Sequence, residues 1–359
     1  MKNKDYSIEM LRTLACFFVV VIHVSGTYFA TWGKIPTSNW LFINIFSTLS
    51  RFAVPMFTMI SGALILKKSS NFKSSIKRIL KIILVLLLSS LFYLIVVDLI
   101  LNGKPFNIKH WILAILEHRV HYHLWYLYMI LGLYLLAPIL SEIVKHINSK
   151  LWIYYICLVL FFATTKFIPN TSLILLGRKV SPFIPFEGIG PYLGTFLIGY
   201  YLYNVIDINK KGFKISIIGF TLSNLVTFFM TYILTKISGI PTETIMDRNG
   251  LTSILSSMFL FYIIRYLFIN YRIHKKINMI VMKIGSLSLI IYIIHPFVIL
   301  TYARFFKTYV ERIINNFNLY FIIELLVVFM VSLILSYITN ALIKIFKHRK
   351  ISNKITVSN

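Results

Sequence analysis

Acidic residues are scarce in this sequence: eleven Asp and Glu stand against 37 Lys and Arg, a formal charge of +26. Cysteine is scarcer still, with two residues, Cys16 and Cys157, both inside apolar runs. So few thiols, placed there, exclude a disulfide framework and give no metal-ligand spacing. No site for cleavage by signal peptidase follows the first apolar run, so the basic N-terminal stretch is expected to stay attached as a helix. Internal repeats of the inverted kind that many secondary transporters carry are absent as well. In a soluble chain the excess of positive charge would point to nucleic acid. Here the basic residues sit in short segments between apolar runs, where they act as topogenic signals and meet anionic lipid, so no nucleic-acid partner is expected.

What the chain has in abundance is apolar length. Hydrophobic residues make up 58% of 359 residues and the mean hydropathy is +0.80, against roughly 45–50% apolar residues in soluble domains. The expected fold is therefore all-α, a polytopic integral membrane helix bundle. About ten runs approach the roughly 20 apolar residues needed to cross a bilayer core. They lie near 8–30, 40–66, 79–101, 123–140, 151–168, 192–205, 215–235, 251–269, 284–303 and 319–345. The densest basic loop, KKSSNFKSSIKR after the second run, together with KKGFK, RIHKK and KHRK, falls on one side. The positive-inside rule makes that side cytoplasmic and places both termini there. We expect a single membrane domain over 1–350 with a short cytoplasmic tail at 351–359. Between the third and fourth runs, KPFNIKHWILAILEHRVHYH has apolar residues at helical spacing and reads as a helix lying along the outer membrane surface. The loop ending PFEGIGPY is rich in proline and glycine and is expected outside, capping a cavity.

Charged groups inside such runs are functional candidates, because hydrocarbon does not solvate them. The first run carries Glu9, Arg12 and His23. Eleven helical steps bring His23 within roughly 20° of Arg12's face and about 16 Å further along the axis. Cys16 and Val19 share that stripe and are small enough to leave room along it. Cys16 is a poor acyl carrier, since buried and unactivated thiols are inert. Arg51 lies near the middle of the second run, where snorkelling to an interface is difficult. The alternative to a functional role for it is structural pairing with Glu9, Asp98 or Glu324, and Pro55 one turn later frees backbone carbonyls that protein or water must satisfy. Ser61 and Gly62 suit either substrate contact or close helix approach. His123, Trp125 and Tyr126 could stack on a sugar or quinone-like face, although an interfacial aromatic belt explains them too. His295, about fourteen residues into the ninth run, should lie at the depth of His23, either as a second wall of one cavity or as a hydrogen-bonded interhelical residue.

Glu9-x-x-Arg12, then ten residues and His23, followed in order by SRFAVPMFTMISG, HLWYLY and SLSLIIYIIHPF, resembles the membrane-bound acyltransferase type 3 family. Within it, the length and spacing are most similar to the short bacterial members that O-acetylate glycans. Family members usually have aspartate where Glu9 stands, a conservative departure. The resemblance implies a multi-pass protein of the bacterial plasma membrane. It also implies transfer of an acyl group, typically acetyl from cytoplasmic acetyl-CoA, to a hydroxyl of a cell-surface or lipid-linked sugar. No cofactor or metal is implied, acyl-CoA being a substrate. Longer relatives carry an extracytoplasmic hydrolase-like domain that this sequence lacks, so it is expected to serve its glycolipid or polysaccharide acceptor unaided or with a separate protein. Imidazole titrates near working pH, which suits His23 to take the proton of a sugar hydroxyl. A covalent acyl-histidine relay is also open. Arg12 can hold a CoA phosphate or the thioester oxygen with its planar fork, and Arg51 can stabilise an oxyanion. Glu9, Ser61, His123, Trp125, Tyr126 and His295 are the remaining candidate substrate contacts. The alternative is an exporter or flippase of a surface glycan, using the same polar path without chemistry.

Overall fold

The computed structural model describes residues 5–67, 72–105, 107–164, 168–180 and 191–356, and no strand occurs among them. In chain order the helices are α1 (Tyr6–Phe29), α2 (Thr37–Ser50), α3 (Ala53–Ile65), α4 (Phe72–Phe92), α5 (Ile108–Leu116), α6 (Trp125–His146) and α7 (Ser149–Thr164). They continue with α8 (Ile168–Leu176), α9 (Pro191–Asn204), α10 (Lys210–Ser238), α11 (Leu251–Asn270), α12 (Lys275–Phe305), α13 (Lys307–Ile313) and α14 (Phe317–Thr356). Eight helical stretches among the described residues are long and apolar enough to cross a membrane. The all-α polytopic architecture is thus as expected. The fifth and sixth expected spans are the 16-residue α7 and the 14-residue α9, about 24 and 21 Å long against a core of about 30 Å. Half of α9 is buried and none of it is fully exposed, so it is enclosed by protein. The segment expected as a loop capping a cavity, between the fifth and sixth runs, begins as the helix α8, and its residues 181–190 lie outside the described residues, as do Lys68 to Asn71 of the basic loop. The backbone of α14 is helical to Thr356, through most of the segment expected as a tail.

The chain forms two compact units, one from residues 1–50 and 271–359, the other from 51–270. One boundary falls at a break in the second apolar run. That run is not one helix: α2 ends at Ser50, Arg51 and Phe52 form a turn, and α3 starts at Ala53. Pro55 is the third residue of α3, in the first turn, where a missing N–H costs little.

In the first unit α12 packs on α1 and on α14, and α2 packs on α1. Asp5 starts α1 by accepting the amide of Ser7 at 2.9 Å, satisfying one of the donors that every helix start leaves over. The indole N–H of Trp40 donates to the Phe29 carbonyl at 2.9 Å, and the Ser47 hydroxyl donates to Ser25 at 2.9 Å, so α2 folds back on α1 through polar contacts. Such contacts substitute for the hydrophobic driving force that is missing between helices in lipid.

In the second unit the closest pairing is α3 with α9. A Cβ on Gly62 would strike the carbonyl of Phe196, and one on Gly199 the carbonyl of Met59, so two glycines let the backbones touch. The Thr58 and Thr195 hydroxyls meet at 2.6 Å across the same seam. Large apolar side chains are exposed along α4, among them Leu80, Leu84, Leu88 and Leu91, and along α14, among them Leu326, Met330 and Ile334. These faces suit lipid.

Candidate active site

The first unit gathers the candidates of α1 against α12. Contacts rise together along both helices: Thr13 Oγ1 donates to the Val281 carbonyl at 3.0 Å, Cys16 Sγ to the Ser288 carbonyl at 3.9 Å, and the His23 ring lies 5.1 Å from that of His295. The two helices therefore run parallel. Near their starts Arg12 Nη1 meets Glu9 Oε1 at 2.7 Å. The other carboxylate oxygen of Glu9 is buried against Gly285, where a Cβ would collide with it. Glycine at 285 thus makes the space that admits the ion pair between the helices. The side chains of Glu9 and Arg12 keep 14% and 24% exposure, so the pair is only partly withdrawn from solvent.

At the far end of the seam the paired imidazoles stand at an interplanar angle of 34°. His295 is wholly buried, and its Nδ1 lies 3.1 Å from the Ile291 carbonyl. A carbonyl only accepts, so Nδ1 carries the hydrogen and the lone pair of the neutral ring is on Nε2. The next residue, Pro296, sits inside α12 and has no N–H to offer the Tyr292 carbonyl. His23 is half-buried, which suits a group that must meet a substrate. Beyond it, Glu324 of α14 is 2% exposed and accepts hydrogen bonds from Tyr28 and Tyr320. Tyr28 and Tyr320 are themselves 2.7 Å apart, and the ammonium of Lys307 lies over the Tyr28 ring at 4.6 Å.

The second unit holds Arg51, whose ion pair is with a carboxylate outside the three that the structural alternative named. Arg51 Nη1 faces Glu243 Oε2 at 3.5 Å, in the segment between α10 and α11, with the charges of Asp247 and Arg248 also acting on it. Those three are engaged elsewhere: Glu9 with Arg12, Asp98 with Lys104 at 3.0 Å, and Glu324 with its tyrosines. The trio His123, Trp125 and Tyr126 is split by the turn that starts α6. His123 is buried, its Nδ1 is 2.8 Å from Nδ1 of His121, and Tyr93 stacks on His121 at 4.1 Å. Burial beside Tyr93 holds the His121 imidazolium down to about 4, against a weaker opposite pull from Asp98. Trp125 turns instead towards Tyr192, at 5.7 Å, and carries the guanidinium of Arg248 over its ring at 4.0 Å. Tyr126 meets Phe57 at 6.2 Å. Ser61 spends its hydroxyl on the Phe57 carbonyl at 2.9 Å.

Sequence reasoning missed Glu243, Arg248 and Tyr192. The available signals were PTETIMDRNG, a charged segment between two apolar runs that reads as an ordinary solvated loop, and for Tyr192 the end of PFEGIGPY. Among the described residues no group of three or more His, Cys, Asp or Glu could hold a metal ion.

Apolar helices of spanning length, with a partly buried Arg–Glu pair and two apposed histidines between two of them, define a polytopic membrane protein that holds charge and a basic nitrogen along one helix seam. A family model described as an acyltransferase domain matches residues 5–341. The chain belongs to the membrane-bound acyltransferase type 3 family and is a membrane acyltransferase. Comparison with curated proteins and with solved structures found no match.

Proposed function

We propose that this acyltransferase moves an acyl group, acetyl in the first instance, from cytoplasmic acyl-CoA to a hydroxyl of a cell-surface or lipid-linked sugar in the bacterial plasma membrane. The observation that carries this reading is the pair His23 and His295, ring centroids 5.1 Å apart, with the lone pair of His295 fixed on Nε2. A sugar hydroxyl attacks a thioester carbonyl only as its proton is taken, and a neutral imidazole is the group suited to take it near neutral pH. In that role half-exposed His23 accepts the proton, the sugar oxygen bonds to the acyl carbon, and the CoA thiolate leaves. His295 is the adjacent second base. A relay in which a histidine first carries the acyl group uses the same nitrogens.

At the other end of the seam Arg12, oriented by Glu9, offers a fork of donors to a CoA phosphate or the thioester oxygen. With the basic loops inside, both termini are cytoplasmic and the His23 end of α1 is the outer end.

Washed membrane vesicles supplied with acetyl-CoA labelled in its acetyl group test the proposal. Label should enter extractable glycolipid or polysaccharide with the parent chain, and His23→Ala should lower the rate at least about 100-fold at equal expression. If neither transfers label above empty membranes while surface glycan still depends on the protein, the chain exports glycan instead.

A further inference from the structure

Arg248 and Trp125 lie outside the α1–α12 seam, and the roles just given leave them unused. We propose that they form, with Arg51 beside them, a binding site for an anionic group on the acceptor, a carboxylate or phosphate attached to the sugar. The inference rests on the acyl-transfer reading for the identity of the acceptor.

The geometry is that of a prepared anion fork. The guanidinium carbon of Arg248 sits 4.0 Å from the centroid of the Trp125 ring, and Tyr192 braces the indole at 5.7 Å. A guanidinium held over an indole is partly desolvated and positioned by the ring while keeping its five N–H donors for a ligand. Such a fork matches two oxygens of a carboxylate or phosphate. Arg248 is exposed although its ring partner is partly buried, so the fork is reachable from solvent. Trp125 beside it supplies the aromatic surface on which a sugar ring packs.

Charge on the surrounding backbone acts in the same direction. Trp125 opens α6, Tyr192 lies in the first turn of α9, Arg51 precedes α3 and Arg248 precedes α11, and their contacts bring these helix starts together. Each helix start carries partial positive charge. Two arginines among them make a strongly positive spot. Glu243, which pairs with Arg51 at 3.5 Å, is 52% exposed. The Arg51 side chain is only 12% exposed, so Glu243 is the mobile partner, and its half-solvated carboxylate gives way to an oxyanion that two arginines bind. Glu243 thus occupies, in the absence of substrate, the place of the acceptor's own negative charge. At the opposite end of the unit Lys67 and Arg265 flank the Tyr203 ring at 5.2 and 4.2 Å, next to the ends of α3, α9 and α11. Cations there complement negative helix ends and need no ligand.

The test is saturation-transfer NMR on the full chain in lipid nanodiscs, with methyl glucuronide, glucose 1-phosphate and neutral methyl glucoside as probes. The inference expects transfer to one or both anionic probes and little to the neutral one. Arg248→Gln should weaken anion binding by about tenfold or more, with Lys67→Gln unchanged. Glu243→Gln should strengthen it, whereas a purely structural loop would bind less well once its ion pair is cut, so this variant decides even if Arg248→Gln fails to fold. Binding of the glucuronide alone identifies a sugar acid, and of the phosphate alone a sugar phosphate such as a lipid-linked glycan presents. Equal binding of the neutral glucoside, absence of binding by either anionic probe, or weaker binding in Glu243→Gln overturns the inference. Acetyl transfer that persists in vesicles while anion binding is absent removes this site and leaves the acyltransferase reading standing. Anion binding without transfer does the reverse.

Discussion

At the scale of single residues, the site in the first unit depends on a hydrogen atom at Gly285. Its position beside the buried oxygen of Glu9 leaves no room for a methyl group, and overpacking of this kind costs about 1–3 kcal/mol. Gly285→Ala should therefore push Glu9 and Arg12 out of register, lowering both the thermal midpoint in detergent and the rate of label transfer. Gly26→Ala, inside α1 with nothing nearby, serves as the control: it should leave the rate unchanged and the midpoint equal or slightly higher, since alanine favours the helix. His295→Phe keeps a ring against His23 but removes the Nε2 lone pair. Transfer should fall by about 100-fold while the protein elutes as a single folded peak, and a wild-type rate would assign His295 to packing alone. Arg12 and His23 were legible from periodicity, because a helix converts spacing into facing. That the facing surface belongs to α12 was legible only as one of two readings of His295, since 272 residues of chain separate the two sides of the Cys16–Ser288 contact.

At the scale of elements, two features set what each helix does. The α3–α9 seam is as tight as backbone allows, so Gly62→Val places branched carbons into the Phe196 carbonyl and should abolish the monodisperse peak in fluorescence-detected size exclusion. The turn before α6 is the acid-sensitive element. His121 titrates at about 4 in the fold against about 6.5 when unfolded, so the unfolded chain binds more protons between those values. The stability tied to neutral His121 is complete above about pH 6.5 and is lost as pH falls towards 4. Thermal midpoints measured from pH 7 to pH 4.5 should therefore drop less steeply in His121→Gln than in the parent. Sequence reading found most helices here within a few residues, since apolar length is a local property. The break at Arg51–Phe52 escaped it. Pro55 pointed to a disturbance, but the turn lies four residues earlier, and the carboxylate that meets Arg51 there comes from the segment before α11.

At the scale of the whole molecule, the distribution of basic loops makes a prediction about sidedness. In a background lacking Cys16 and Cys157, Lys34→Cys, between α1 and α2, should react with a membrane-impermeant maleimide on intact cells. Lys276→Cys, at the start of α12, should react only after the cells are opened. The reverse pattern would invert the topology and place the His23 end of α1 inside. The division into two units follows the same logic of burial: α1 and α2 find their partners in α12 and α14 from the far end of the chain, while the intervening helices pack among themselves.

The sequence by itself determined the solvent, the class of fold and the family, because a bilayer demands apolar length and internally satisfied backbone, and both are written residue by residue. It also marked Glu9, Arg12, His23, Arg51 and His295 as costly groups that hydrocarbon would not tolerate without a purpose. Only the tertiary structure decided which of these meet: Glu9 with Arg12 in the space Gly285 leaves, His23 with His295, and Arg51 with Glu243. Partner choice in lipid depends on which polar and small faces come into register once helices pack, and that register is a property of the assembled bundle that no single stretch contains.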